Sequence, residues 1–236
     1  MANFLIIAGS SSIGQETTKL LREGGHTVLT TARDSQKITP DFILDARDFA
    51  AMDQVFETSK TQMGSIDGVV NCSGSLHLKP AHLTSAEQYR DTIDASLTTA
   101  FATMRSAGKY MNAGGSVVLI SSAAAQTGIS NHEAIAAAKA GIIGLTLSAA
   151  ATYAPQNLRV NAVAPGLTTT NLTSQITGNE TSRKFSEQMH ALGRLGTAAD
   201  VARAIVFLLV PENNWITGQI LSVDGGLSSL KPKLKV

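Results

Sequence analysis

The sequence predicts an α/β fold: a single Rossmann-like, doubly wound parallel sheet with helices on both faces. Three observations predict it. Short runs rich in Val, Ile and Leu alternate with longer helical patterns along the whole chain. The runs at 4–8 and 116–121 are almost continuously apolar, as strands covered on both faces must be. A Gly/Ser turn, Gly9 to Gly14, joins the first run to the first helical pattern. Such turns let backbone N–H groups approach a phosphate at a helix N-terminus.

In chain order, strands are expected at Phe4–Ala8, Thr27–Thr31, Phe42–Leu44, Ile66–Asn71, Ser116–Ser121, Leu158–Ala162 and Gln219–Val223. Helices are expected at Gly14–Glu23, Phe49–Gln62, Ser85–Met111, Asn131–Tyr153, Glu180–Leu192 and Ala198–Leu209. This alternation implies right-handed crossovers. There is no internal repeat, linker or composition break, so residues 1–236 are read as one domain. The least regular stretch, Gly166–Glu180, opens a candidate lid over residues 166–192. Loops at the carboxyl ends of such strands are where ligands sit.

Composition bounds the function. Of 236 residues, 43% are apolar and 16% charged, ordinary for a soluble globular chain that buries a full core. The single cysteine, Cys72, excludes an internal disulfide and suits a reducing, cytoplasmic setting. A net charge of +1 without charge runs argues against nucleic acid as partner. No stretch reads as a membrane span, and the N-terminus reads as carrying no secretory signal. The basic tail KPKLKV is read as a loose end, with contact to a neighbouring subunit as the alternative. No His, Cys, Asp or Glu set has metal-ligand spacing, and no serine has a convincing hydrolytic triad.

The stretch Ser121–Thr146 puts a Ser-Ser pair at the end of an apolar run, then an Ala-rich helix with one lysine, Lys139. It resembles the active-site segment of the short-chain dehydrogenase/reductase family, a serine followed by Tyr-x-x-x-Lys. Ser122 and Lys139 fall on the serine and the lysine; the tyrosine position is Ile135. The first turn resembles the family's Thr-Gly-x-x-x-Gly-x-Gly. Gly9 and Gly14 match, Ala8 stands for the threonine and Ser12 for the middle glycine, with Ser11 and Ile13 completing the phosphate cradle. Asp45 matches a family aspartate near the adenine, with Ala46 offering backbone. Asn71-Cys72-Ser73-Gly74 resembles Asn-Asn-Ala-Gly, keeping Asn71 and Gly74. Arg159 to Gly166 resembles the segment that leads to the nicotinamide. There Pro165 and Gly166 fix a turn, Leu167 offers backbone, and Thr170 stands on the family threonine. The resemblance covers nearly the full chain. It implies a bound nicotinamide dinucleotide, a small-molecule substrate, and a homodimer or homotetramer packed through helices 85–111 and 131–153.

Arg33 stands where the second strand ends and the usual acidic residue is missing. An acid there binds a ribose hydroxyl and an arginine accommodates a 2′-phosphate, so NADP(H) is favoured over NAD(H). Asp34 is positioned to neutralise Arg33, and a plain surface charge is the alternative. Cys72 reads as a buried, inert thiol with nothing nearby to lower its pKa.

Hydride transfer to a carbonyl leaves an alkoxide that needs a positioned acid. In the resembled family the tyrosine supplies it, the lysine lowers the tyrosine pKa and holds the nicotinamide ribose, and the serine polarises the carbonyl. Ile135 cannot donate a proton. His132, seven before Lys139 on the same helical face, is the replacement candidate. Related bacterial enoyl-thioester reductases use Tyr-x-x-x-x-x-x-Lys, and His132, Ile135 and Lys139 look like that arrangement with histidine for tyrosine. The competing reading is a capping box in which Ser130 caps and Glu133 reaches back, leaving His132 in the first turn. His77 is a second, weaker candidate. The family's water-supporting Asn falls on Ser96. The expected function is therefore an NADP(H)-dependent oxidoreductase acting on a small carbonyl or conjugated enoyl substrate. The alternative is a dinucleotide-binding protein without turnover, acting as a sensor or structural partner.

Overall fold

Seven parallel strands form the central sheet of the computed structural model, which describes residues 1–231. They are β1 (Asn3–Ile7), β2 (Thr27–Ala32), β3 (Phe42–Ile43), β4 (Gly68–Asn71), β5 (Gly115–Ile120), β6 (Leu158–Pro165) and, last in the chain, β9 (Ile220–Val223). Their order is β3-β2-β1-β4-β5-β6-β9. Winding reverses between β1 and β4, the switch point where such sheets open a crevice at their carboxyl edge. The expected seven strands are these seven, each within two residues at its start. β2 runs one residue further than expected, to Ala32, and β6 three, to Pro165. Residues 232–236, most of the basic tail, lie outside the described residues.

Alternation along each strand divides the core. Leu5, Ile7, Val69, Val117 and Leu119 join one apolar cluster; Phe4, Ile6, Val70 and Val118 join the other. Side chains at successive positions point to opposite faces, so an unbroken apolar run feeds both layers. On the first face lie α2 (Phe49–Met63), α4 (Thr99–Tyr110) and α5 (Glu133–Tyr153); on the second lie α1 (Ser12–Glu23) and α8 (Ala198–Leu209).

Three expectations need correction. The helix expected over 85–111 is α3 (Ala86–Ile93), a π turn over 94–98, and α4. Thr99 N–H reaches back five residues to Asp94 O, and Thr99 Oγ1 bonds the carbonyls of Ala95 (3.1 Å) and Ser96 (3.0 Å). Hydroxyls that bond to carbonyls in the turn before them loosen the ordinary ladder. The helix expected from Asn131 starts at Glu133, and His132 occupies the cap position without a capping side-chain bond. Asn131 lies in the left-handed region (φ 63°). The Ser130 capping box therefore does not form. Finally, Glu133–Gln156 is, by length and hydropathy, long and apolar enough to cross a bilayer. That helix instead packs along β6 and places Ala138, Ile142 and Ala149 in the interior.

The lid also has more structure than expected. Thr168–Thr169 (β7) pairs with Gly196–Thr197 (β8) in a parallel ladder. Between these strands run α6 (Ser174–Thr177) and α7 (Glu180–Met189). The ladder is the base through which the lid leaves and returns.

Candidate active site

At the carboxyl end of β1 the chain turns in four residues, 8–11, into α1. Ser11 caps α1, its Oγ accepting from Gly14 N–H at 3.0 Å. A Cβ on Gly14 would lie 2.7 Å from Ala8 O and 2.9 Å from Gly9 Cα, so only glycine fits there. Four residues separate Gly9 from Gly14, where the family pattern has five. This shorter turn closes with Ala8 in the left-handed region (φ 58°), a strained place for a residue with a Cβ. Ser10, Ser11, Ser12 and Ile13 face the crevice. Gly9 and Gly14 lie behind them and shape the wall. Asn71 also lies behind it: its amide donates to Thr103 Oγ1 (2.9 Å) and its oxygen accepts from Ser73 N–H (2.7 Å).

The crevice is one continuous cleft of about 1210 Å³. At one end stand Arg33, Lys37, Asp45, Ala46 and Arg47. Asp34 does not neutralise Arg33; it accepts from Gln36 N–H at 3.0 Å. Among the described residues neither Arg33 nor Lys37 has an ion-pair partner. Asp45 is gripped by Arg47 at 2.6 Å, which, with Arg33 nearby, holds its carboxyl down to about 2.

At the other end Ser122, His132, Ile135 and Lys139 share the cleft wall with Gly74. Ser122 Oγ accepts from Ala124 N–H at 3.1 Å, which leaves its own proton free to donate. Lys139 Nζ donates to Ile120 O at 2.7 Å, and a Cβ on Gly74 would lie 3.5 Å from it. Burial holds the Lys139 ammonium down, from 10.5 to about 8. Burial pushes the Cys72 thiol up to about 12; Lys139 and Ser11 pull it the other way, contrary to expectation, but burial wins. Ser96 Oγ is buried without a hydrogen-bond partner among the described residues, and it borders the Gly74 space that Lys139 Nζ also borders. Ile135 is 4% exposed. His132 is half-buried, and its Nδ1 lies 2.8 Å from Ser130 O. A carbonyl only accepts, so Nδ1 carries the proton and Nε2 is left as the other ring function. His77 does not line the cleft; it stands 3.5 Å from Thr84 Oγ1.

Pro165, Gly166, Leu167 and Thr170 close the cleft from β6. The Leu167 backbone is committed internally, its N–H to His190 Nε2 (3.2 Å) and its carbonyl to Gly196 N–H (3.0 Å). The lid touches the cradle through Asn171 N–H and Ser12 Oγ at 3.3 Å.

A sequence profile described as Enoyl-(Acyl carrier protein) reductase matches residues 7–228. The chain belongs to the short-chain dehydrogenase/reductase family. It is 31% identical over 239 residues to the 3-oxoacyl-[acyl-carrier-protein] reductase FabG of Thermotoga maritima, covering 94% of this chain and 96% of that one. Carbonyl reductase family member 4 of Danio rerio is 32% identical over 238 residues, covering 96% and 98%. Among solved structures, ElxO with NADP bound superposes with a TM-score of 0.90 at 29% identity, over 97% of this chain and 99% of that one.

In this short-chain dehydrogenase/reductase, sequence reasoning missed three cleft features. Lys37 and Arg47 flank Arg33, yet each reads as an ordinary surface charge in the sequence. The apolar lid contacts Ile176, Phe185 and Met189 also face the cleft. Phe185 and Met189 stand four apart on α7, a spacing that could have flagged one apolar face. His190 had no local signal at all.

Proposed function

We propose that this chain is an NADP(H)-dependent oxidoreductase that moves a hydride to or from a small carbonyl or conjugated enoyl substrate. The observation that carries the reading is the convergence of Ser122, Lys139 and His132 on the cleft into which the Gly9–Gly14 turn opens. The residues present fit a dinucleotide. Ser10 to Ile13 and the capped start of α1 would hold its pyrophosphate. Arg33 and Lys37, free of ion-pair partners among the described residues, suit a 2′-phosphate and support NADP(H) over NAD(H). Pro165, Gly166 and Thr170 would border the nicotinamide. Bound there, the coenzyme supplies or accepts the hydride.

The chain's own residues then have distinct tasks. Ser122 donates a hydrogen bond from its free hydroxyl to the substrate oxygen and so polarises it. Lys139 spends one N–H on Ile120 O and has two left for ribose hydroxyls. His132, with Nδ1 fixed on Ser130 O, donates from Nε2 only as the imidazolium. That suits an enolate, whose proton need not come from a group with a tyrosine's reach. The apolar lid contacts Ile176, Phe185 and Met189 suit an uncharged substrate. We read residues 1–236 as one dinucleotide-binding unit with 166–192 as its lid, working as a homo-oligomer.

Ile135 favours a second reading, a dinucleotide-binding protein without turnover. One experiment separates the two. NADPH and NADH are titrated calorimetrically, and NADPH oxidation is then followed with ketones and with enoyl thioesters. The enzyme reading expects tighter binding of NADPH than NADH and turnover of at least one class. His132→Ala is expected to lower that turnover by about 100-fold with NADPH affinity unchanged. Tight NADPH binding with no oxidation of either panel leaves only the binding protein.

A further inference from the structure

His190 ends α7, and it is 3% exposed. Both ring nitrogens are engaged. Nδ1 lies 2.6 Å from Ser186 O, one turn back on the lid helix, and Nε2 lies 3.2 Å from Leu167 N in the turn that borders the cleft. The partners assign the tautomer. A carbonyl accepts, so Nδ1 carries the proton; an amide N–H donates, so Nε2 must offer its lone pair. The ring packs on Gly166, where a Cβ would stand 2.7 Å from Nε2, so no other residue fits opposite it. The segment after it is tied down as well, by Gly193 N–H to His190 O (2.8 Å) and Leu192 N–H to Gly225 O (3.0 Å).

We propose that His190 is a positioning residue: held as the neutral Nδ1–H tautomer, it latches the end of the lid helix to the Leu167 amide and so sets turn 165–167 against the cleft. The proposal rests on the cofactor-binding reading of that cleft. It adds a device which that reading does not contain. A second proton on the ring replaces the Nε2 lone pair with an N–H aimed at the Leu167 N–H, and the latch opens. The charged residues Asp224 and Arg194 line a cavity together with the ring. Asp224, on the turn after β9, accepts from Gly226 N–H and Ser228 N–H, both at 2.9 Å. Arg194 lines the smaller cavity of about 420 Å³ beside the ring and is itself paired with Asp200 at 2.8 Å.

The test is amide hydrogen exchange at Leu167 in the cofactor-free protein, together with NADPH titration. The wild type is expected to protect the Leu167 amide at neutral pH and to lose that protection on acidification. His190→Gln, whose amide oxygen can accept the same N–H, is expected to keep protection at every pH. His190→Leu is expected to lose it at every pH and to raise the KM for NADPH about tenfold with a smaller change in kcat. Nitrogen chemical shifts of the wild-type ring should report the Nδ1–H form, which keeps the test alive should His190→Leu not fold. An Nε2–H ring, or Leu167 protection equal in wild type and His190→Leu, overturns the latch. Absence of NADPH binding to the wild type instead overturns the cofactor reading and leaves the exchange result standing.

Discussion

The resemblance puts Ile135 where the family keeps the phenol that serves as its acid, and on the proposed reading the surroundings of that phenol are kept. Ser122 and Lys139 still border the same cleft, and Ile135 lines it between them. Ile135→Tyr is therefore expected to raise ketone reduction by about 100-fold, the scale of one positioned acid, measured as NADPH oxidation. A variant that folds and binds NADPH but stays as slow as its parent would place the deficit elsewhere, for example at Ser96. Lys139 makes a separate claim about pH. Burial holds its ammonium to about 8 instead of 10.5. Below about 8 both the folded and unfolded chains carry the proton, and this lysine adds no slope to stability. Between about 8 and 10.5 only the unfolded chain carries it, so stability rises with pH across that window. Coenzyme affinity should move the opposite way, falling as pH rises through about 8 and the ammonium is lost. Calorimetric NADPH titrations on either side of that value check the sign; a flat profile would mean that the charge on Lys139 is not used.

Among the elements, the end of α8 is gathered by one buried cation, with Ser116 Oγ also donating to Leu208 O (2.8 Å). Arg159, on β6, donates from Nη1 to Leu208 O (2.9 Å) and Ile216 O (3.2 Å), and from Nη2 to Leu209 O and Val210 O (both 3.4 Å). A cation at a helix C-terminus satisfies carbonyls that have no partner within the helix and opposes the helix dipole. Arg159→Met keeps the length but strips the side-chain donor from Leu209 O and Val210 O, while Leu208 O keeps Ser116 Oγ (2.8 Å) and Ile216 O keeps Asn161 Nδ2 (2.9 Å). It should cost about 2 kcal/mol, read as a lower midpoint in urea. An unchanged midpoint would mean that water reaches the end of α8 as easily as arginine does. Arg159 shows where legibility stops. Its octapeptide is recognisable in the sequence, but its four carbonyl partners come from a segment some fifty residues away. The central strands were legible because burial on both faces leaves no polar alternation to mislead. The π turn at 94–98 was not, since Thr99 looks like an ordinary helix position until its hydroxyl's bonds to Ala95 O and Ser96 O are known. The start of α5 misled for a similar reason. Ser130 and Glu133 have capping-box spacing, but the left-handed Asn131 between them moves the cap to His132. The cradle, Ser122 and Lys139 were legible as motifs. His190 was not, because each of its bonds is to backbone, which sequence does not distinguish.

At the scale of the whole molecule, α5 is more apolar than one copy of the chain requires. Glu133–Gln156 has a mean hydropathy of 1.6 in its most apolar window, and only 44% of that window is buried. Ala137, Ala140, Gly144, Leu147 and Ala151 are all exposed, and their alternating steps of three and four put them on one stripe. Small residues on such a stripe let two helices approach closely, and the exposed apolar surface gives them reason to. This stripe fits the homo-oligomer expected from helices 85–111 and 131–153, to which α4 adds Phe101, 51% exposed. Gly144 offers a clean probe. A Cβ placed on it meets nothing within 4 Å in its own chain, so a larger residue leaves the protomer undisturbed. It should even favour the helix, since glycine costs about 1 kcal/mol there relative to alanine. Gly144→Arg is therefore expected to keep the fold by circular dichroism while halving the mass, or more, in sedimentation equilibrium. An arginine variant with the parent's mass would mean that this face stays open to solvent and that any assembly uses another surface.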